Sequence, residues 1–579
     1  MWVTESHKGE YQNFPKRKLS VLVAMSLVAI VLMARSIDVQ VINNDQLQNQ
    51  GDKRHIRTLQ TQAYRGKISD RFGRPLAIST QVHSIFINPR LISKDADWIA
   101  DLADILDLKK KRIINKIEKN KHRYFAYIKR WVTPATTAKV NALIKQHSIK
   151  GLSLLPEYRR FYPMGEMFAQ VVGFTNIDDK GQEGIELAYN HYLKGTPGKL
   201  QIKRDAKREI IETIGIKYKE KIGNDLVLSL DSNIQHLLHR ELKIAFEKHN
   251  ARSASAVILD VNTGEVVAMS NQPSFNPNNR SSLNATQLRN RAVTDVFEPG
   301  STVKPFTVAI GLESGLFNEK SLIDTTEGRL NVGSHLVKDI HDYGKINLAT
   351  VIRKSSNVGA STIALSLDSE FYWRTLSNIG FGEVTQSGFP GETTGKLFHY
   401  KRWSRFKQAS MAFGYGFSLT TLQLAKAYVV LASGGYNKPI SFTKVEGDIS
   451  GTRVFSRKTT EKVLRMMEAV VREKDGTGQL AQIKGYRIAG KTGTVHKYRS
   501  GGYEEARYLS LFSGVVPASN PKYVMVTMVN DPKSGKYYGG QVAAPVFSNV
   551  MSKVLRMKNV LPDDLSSLDI KTANNSWTH

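Results

Sequence analysis

The stretch that most restricts this chain is Leu19 to Ala34, LSVLVAMSLVAIVLMA, 16 residues without a charge, preceded by Lys16-Arg17-Lys18 and followed by Arg35. In lipid such a run must fold as a helix, because hydrocarbon offers no partners to backbone N–H and C=O groups. Its helical length is about 24 Å against a hydrocarbon core of roughly 30 Å, so Lys18 and Arg35 are expected to snorkel or the bilayer to thin. The basic cluster in front places the N-terminus in the cytoplasm. Leu32-Met33-Ala34 makes a poor small-x-small cleavage site, which favours an uncleaved anchor over a signal peptide. The expected order is therefore a cytoplasmic tail (1–18), a transmembrane anchor (19–35) and a polar stalk (36–56), with the rest of the chain on the far side of the membrane.

The chain beyond the stalk is large enough for more than one buried core: 579 residues in all, 41% hydrophobic and 9% aromatic, which excludes a disordered or fibrous chain. The formal net charge of +30 suits anionic lipid, nucleic acid or an acidic polymer as well as it suits a solvated basic surface, so charge alone does not choose a partner. Cysteine is absent, which excludes disulfides, thiolate metal sites and cysteine nucleophiles. Between Lys109 and Arg130 a basic stretch interleaves Ile113, Ile114 and Ile117 at helical spacing, with Tyr124, Phe125 and Tyr127 after it. Outside the membrane, such a segment reads as a solvated surface, and no nucleic-acid partner is expected.

Residues 57–223 read as strand, turn and short helix, with internal charges in Arg65 to Ala77, Arg160 to Pro163 and Gly181 to Glu186 that carry no chemistry of their own. A boundary near Gly223 precedes Asp231 or Ser232, either of which can cap an amphipathic helix over Ser232 to Lys248. Ala254 to Asp260 and Glu265 to Ser270 alternate like two strands joined by Val261-Asn262-Thr263-Gly264. After Pro562 the chain is polar to its end.

Chemistry enters at Glu298-Pro299-Gly300-Ser301-Thr302-Val303-Lys304-Pro305-Phe306, where a turn runs into an apolar helical stretch. Residues three apart share a helix face, so Lys304 can take a proton from Ser301, and Pro305 is tolerated in the first turn. Ser441-Phe442-Thr443-Lys444 has the same spacing but lies in Pro439 to Val445, which reads as a strand, where residues three apart face opposite ways. Two more pieces come later in order: Ser355-Ser356-Asn357, 54 residues on, and Lys491-Thr492-Gly493-Thr494, a further 136 residues on. Each is weak alone. Ser274-Phe275-Asn276, Ser282-Leu283-Asn284 and Lys533-Ser534-Gly535 match by letters but sit in loops or turns, whereas order and setting make the triple match strong.

On these three motifs the chain resembles the penicillin-binding proteins over almost its whole length. The anchor, the three charged segments before Gly223 and the absence of a Glu-Asp-x-x-Phe signature make it similar to the class B, monofunctional members. Gly414 to Ala425 and the stretch from Asn530-Asp531-Pro532 to Ala544-Pro545-Val546-Phe547 resemble the cell-division branch, with the elongation branch as the alternative. The resemblance implies a single N-terminal transmembrane helix, an α+β pedestal domain (57–223, the penicillin-binding protein dimerisation domain) and an α/β transpeptidase domain (224–561) whose central antiparallel sheet is flanked by helices, before a polar tail (562–579). It also implies Ser301 as nucleophile, Lys304 as base, Ser355 as relay, Asn357 and Lys491 as further catalytic groups, and Thr492, Gly493 and Thr494 as substrate-binding residues. Backbone N–H groups of Ser301 and Thr494 would form an oxyanion hole.

The implied activity is cross-linking of peptidoglycan stem peptides through a serine acyl-enzyme, without cofactor or metal, in the bacterial cytoplasmic (inner) membrane with the catalytic domain periplasmic. Implied partners are the stem peptides, beta-lactams, and a septal glycosyltransferase of the FtsW type with other divisome proteins. A beta-lactamase, for which Glu392 would be the deacylating base, and a non-enzymatic beta-lactam sensor stay open.

Overall fold

A computed structural model describes residues 15–47, 56–61, 63–204, 210–281, 283–447, 449–499 and 502–567. The expected cytoplasmic tail up to residue 14, residues 48–55 of the expected stalk and the expected polar tail beyond 567 lie outside the described residues. The N-terminal helix α1 spans Pro15–Ile37 and buries nothing. Its 23 residues make it about 34 Å long, with Lys18 and Arg35 inside the helix at the two ends of the shorter apolar run, where snorkelling side chains can reach the interface. It is, among the described residues, the helix long and apolar enough to cross a membrane.

Packing divides the chain into residues 1–63 with 196–221, and residues 64–195 with 222–579. The first unit carries a three-stranded antiparallel sheet of Ile56–Thr61, Gly198–Arg204 and Ile210–Tyr218, in that order. In the second unit, Pro75–Ile87 pairs with both Leu152–Phe161 and Ala126–Val132, and the helices Trp98–Leu106, Lys110–Lys119 and Pro134–Gln146 accompany this sheet. Ile113 and Ile117 face its core, as their spacing predicts, while Ile114 is half-buried.

The three charged segments without chemistry of their own turn out to be joints. Glu186 is fully buried between Arg65 (2.7 Å) and Arg160 (2.7 Å). Asp70 accepts from the Ser232 hydroxyl at 2.6 Å, and Arg71 pairs with Glu265 at 3.3 Å. The Glu186 clasp ties the three segments to one another, and the Asp70 and Arg71 contacts join residues 64–195 to 222–579 instead of letting them part at Gly223. The segment after Pro562 likewise begins bonded: Asp563 accepts from the Arg487 N–H, and the Ser567 hydroxyl accepts from the Gly485 N–H, each at 2.7 Å.

Helix α2 (Ser232–Lys248) starts where its cap predicts, with the Asp231 carboxylate accepting from Asn233 N at 2.9 Å. Strands β1 (Ser253–Asp260) and β2 (Val266–Gln272) form the expected antiparallel pair. Gly264 closes their turn at φ 69°, where a Cβ would lie 2.3 Å from the Pro439 carbonyl oxygen. With β3 (Ala489–Arg499), β4 (Gly502–Val516) and β5 (Tyr523–Asn530) they make an antiparallel sheet in the order β2-β1-β5-β4-β3.

Successive strand residues point to opposite faces. Val257, Leu259 and Val526 therefore enter the core with helices α6 (Thr421–Ala432) and α7 (Arg457–Arg472). Ala256, Ile258 and Met525 enter the core with α2 and with α8 (Ala544–Met557). The two-sided burial of the sheet matches the architecture expected from the sequence. Pro439 to Val445 is not a sheet strand. It makes only single bridges, Ser441 to Glu265 and Thr443 to Leu228, and its Ser441 hydroxyl is turned back onto Thr443.

Candidate active site

Ser301 lies in a tight 3-10 turn, Gly300–Val303, that leads into α3 (Lys304–Glu313). The α-helix thus starts at Lys304 and not at Ser301, and the tighter turn sets residues three apart directly above one another. Gly300 is required: its φ is 53°, and a Cβ there would stand 2.4 Å from Val495 Cγ2. The turn is pinned by the buried Tyr428, whose hydroxyl donates to the Thr302 carbonyl at 2.7 Å. Phe306 anchors α3 between the rings of Phe381 and Tyr428.

Lys304 is completely buried, yet its Nζ meets three oxygens: the Ser355 carbonyl, the Ser355 hydroxyl at 3.1 Å and Asn357 Oδ1 at 2.7 Å. Burial, and then the proximity of Lys491, hold its pKa well below the ordinary lysine value, with Asp339 opposing. Lys491, from the edge strand β3, is also fully buried and reaches the same Ser355 hydroxyl at 3.0 Å. Burial brings its pKa down to about 7. Among the described residues, the Ser301 hydroxyl has no hydrogen-bond partner and faces a cleft of about 640 Å³ that Ser355, Asn357, Thr492 and Thr494 also line.

Ser355 ends α4 (Leu348–Lys354) in the left-handed region, at φ 61°. A non-glycine residue there costs roughly 1 kcal/mol, a strain that points to a functional constraint. Ser356 caps α5 (Asn357–Leu365) by accepting from Gly359 N at 2.8 Å. Asp339, which no spacing in the sequence singles out, completes the cap: its carboxylate accepts from the Ser356 hydroxyl, Asn357 N and, at 3.0 Å, Val358 N.

On β3 the Thr492 hydroxyl donates to Thr477 at 2.7 Å, and the Thr494 hydroxyl accepts from Gly539 N at 3.0 Å. Gly493 turns inward: a Cβ there would meet Thr302 Cγ2 at 2.9 Å and Leu511 Cβ at 3.2 Å. The room it leaves is for the nucleophile's turn to seat on the sheet. Sequence reasoning also missed one wall of the cleft, where Tyr508 stacks on Tyr537 with ring centroids 4.1 Å apart. The only local signal for it is tyrosines spread over two segments.

Glu392 is engaged elsewhere. Its carboxylate accepts from Thr385 N at 2.6 Å, from the Thr385 hydroxyl and from the Ser387 hydroxyl at 2.9 Å, and it does not line the cleft.

The structure thus brings all eight sequence-predicted site residues to one place, five of them lining the cleft, Lys304 and Lys491 buried behind the Ser355 hydroxyl, and Gly493 packing beneath. The family model described as the penicillin binding protein transpeptidase domain matches residues 254–552, and that of the penicillin-binding protein dimerisation domain matches residues 60–228. The chain belongs to the class B penicillin-binding proteins.

Among its relatives, the peptidoglycan D,D-transpeptidase FtsI of Escherichia coli (strain K12) is 41% identical over 97% of this chain and 95% of that protein. The probable peptidoglycan D,D-transpeptidase PbpC of Pseudomonas aeruginosa is 36% identical over 95% and 96%. Penicillin-binding protein 3 of Mycobacterium tuberculosis, solved in complex with aztreonam, superposes with a TM-score of 0.68 at 26% identity, over 87% of this chain and 98% of that one. With the N-terminal apolar helix, this kinship makes the chain a single-pass inner-membrane protein.

Proposed function

We propose that Ser301 is the acyl-accepting nucleophile of an FtsI-type peptidoglycan D,D-transpeptidase that works at the division septum. The observation that carries this reading is the convergence of two buried lysines on the Ser355 hydroxyl in the cleft that Ser301 faces. A neutral amine has two N–H donors and one lone pair. Neutral Lys304 can therefore donate to the Ser355 carbonyl and Asn357 Oδ1 while its lone pair takes a proton from Ser301 or from the Ser355 hydroxyl.

In the first half-reaction Ser301 Oγ attacks the carbonyl of the penultimate residue of a stem peptide ending in D-Ala-D-Ala, and its proton passes to Lys304. As the ester C–O bond forms, the C–N bond to the terminal D-Ala breaks, and the proton reaches that leaving amine through Ser355. Lys491, Thr492 and Thr494 hold the terminal carboxylate, and Asn357 holds the peptide amide. Backbone N–H groups of Ser301 and Thr494 stabilise the oxyanion, a contribution worth about 3–4 kcal/mol per donor in other acyl-transfer enzymes. In the second half-reaction an amine of a neighbouring stem peptide forms the new C–N bond, and its proton restores the Ser301 hydroxyl as the ester breaks.

Lys16 to Lys18 keep the N-terminus in the cytoplasm, so the transpeptidase domain (224–561) and its pedestal (57–223) stand in the periplasm. The partners that go with this placement are a septal glycosyltransferase of the FtsW type and other divisome proteins.

Intact-mass analysis with penicillin, combined with peptide mapping, tests the reading. The expected adduct sits on Ser301, is lost in Ser301→Ala and persists in Ser441→Ala. With its carboxylate engaged in its own loop, Glu392 is not placed to activate a water against the ester, and an unactivated water readily loses several powers of ten in rate. The adduct is therefore expected to last many minutes to hours and to be unchanged in Glu392→Gln. Turnover within seconds, slowed strongly by that substitution, would establish a beta-lactamase instead.

A further inference from the structure

Ser355 and Thr492 reach the cleft from different elements, and a third element spans them. Residues 473–478 leave the end of α7 as a tight loop, in which Gly476 N donates to the Glu473 carbonyl and Gly478 N to the Val470 carbonyl, each at 2.9 Å. A Cβ on Gly476 would stand 2.3 Å from the Val470 carbonyl oxygen, so the loop lies flush against the helix end. On one side Thr477 accepts from the Thr492 hydroxyl at 2.7 Å. On the other, the Asp475 carboxylate meets Lys354 Nζ at 2.7 Å and lies 3.6 Å from Arg353 Nε. Arg353 and Lys354 are the last two residues of α4, directly before Ser355. Arg353 Nε is buried and makes no hydrogen bond, which leaves Asp475 as its ion-pair partner among the described residues. The bond from Lys354 also holds the Asp475 carboxyl below its ordinary range. These contacts close a ring: Ser355 to Lys491 across 3.0 Å, along the chain to Thr492, over to Thr477, back through Gly476 to Asp475, and across to Lys354, the neighbour of Ser355. Lys354, Gly476 and Thr477 line the cleft, and Asp475 stands behind them.

We infer that Asp475 is a positioning residue of the catalytic site: by holding Lys354 and Arg353 it keeps Ser355 in a fixed place relative to Lys304, Lys491 and Thr492. The inference rests on the transpeptidase reading, because Ser355 is the proton relay of that reaction. Cations at the end of α4 also face the negative pole of the helix, which favours them without Asp475. That attraction acts on charge and not on place, whereas a carboxylate on an anchored loop fixes both. Ser355 stands in the left-handed region, which a non-glycine backbone does not prefer, and the tie constrains the residue just before it. An ion pair as exposed as this one adds little to stability. A displacement of about 1 Å in a group that serves the reaction, by contrast, costs up to about 100-fold in rate. The role of Asp475 is therefore expected to show in rate and not in melting.

The test uses the full-length protein in detergent, reacted with benzylpenicillin over a range of concentrations and quenched for intact mass, so that the limiting acylation rate and the half-saturating concentration are read separately. Asp475→Ala is expected to lower the limiting rate about tenfold. Its half-saturating concentration and melting temperature should stay near the wild-type values, because Thr492 keeps its place on β3. Asp475→Glu, which retains the carboxylate, should recover most of the rate. Lys354→Gln should lose rate as well, and adding it to Asp475→Ala should cost nothing further, as for two partners in one contact. A limiting rate within about twofold of wild type in Asp475→Ala, no recovery in Asp475→Glu, additive losses in the double variant, or a rate loss matched by a fall in melting temperature overturns the inference while acylation at Ser301 stands. A wild-type protein that takes no adduct on Ser301 would instead remove the reading on which the inference rests.

Discussion

Lys491 donates to the Ser355 hydroxyl across 3.0 Å, although 136 residues separate the two in the chain. Lys304 approaches the same hydroxyl at 3.1 Å from the nucleophile's helix. Two ammonium groups on one hydroxyl in a buried setting repel each other, so protons are shared unequally between them. Lys304, depressed by its burial and by Lys491 together, is the neutral member, and Lys491 is the member that can carry charge near neutrality.

That division sets the pH dependence. Acylation by a carboxylate-bearing beta-lactam should rise as Lys304 loses its proton on the acid side and fall as Lys491 loses its own near pH 7. Second-order acylation rates across the pH range check this, and a rate climbing steadily through pH about 9 would rule out a charged Lys491 in carboxylate capture. Stability takes the opposite course. Both lysines have depressed folded-state values, so unfolding takes up protons, and stability should rise with pH from about 7 towards the ordinary lysine value of 10.5.

Asp339 positions the second motif without lining up with it in the sequence. Asp339→Asn keeps the shape but leaves Asn357 N and Val358 N with a weaker, uncharged acceptor. The expected loss of stability is about 1 kcal/mol, as for other helix caps. Acylation should fall more steeply, about 10- to 100-fold, because Asn357 and Ser355 shift relative to Lys304. Thermal melts and penicillin labelling rates on the same protein separate the two effects. Equal labelling by wild-type and variant would reduce Asp339 to a cap alone.

Glu186 stands between two guanidinium groups that no solvent reaches. Glu186→Ala leaves both buried without their carboxylate, a loss expected at about 3–5 kcal/mol. The variant should melt far below the wild-type protein, whereas Glu392→Gln, which keeps the shape of a side chain bonded within its own loop, should lose no more than about 1 kcal/mol. A melting temperature within a degree or so of wild-type would mean that Arg65 and Arg160 find other partners.

Much of this protein was legible in one dimension. Leu19 to Ala34 read as a membrane anchor, Asp231 announced α2, and the spacing of Ser301 and Lys304 placed a base beside a nucleophile, because each depends on neighbours within a turn or two of chain. The order of the three motifs narrowed the family. Tertiary structure alone decided that Ser355 takes up a left-handed conformation under two lysines, that Asp339 caps Asn357, that Gly493 serves the core and not the cleft, and that Glu186 clasps Arg65 and Arg160. It also turned Pro439 to Val445 from an expected strand into an extended connection. Contacts of this kind join residues far apart in the chain, and periodicity, which records only the faces of a single helix or strand, carries no trace of them.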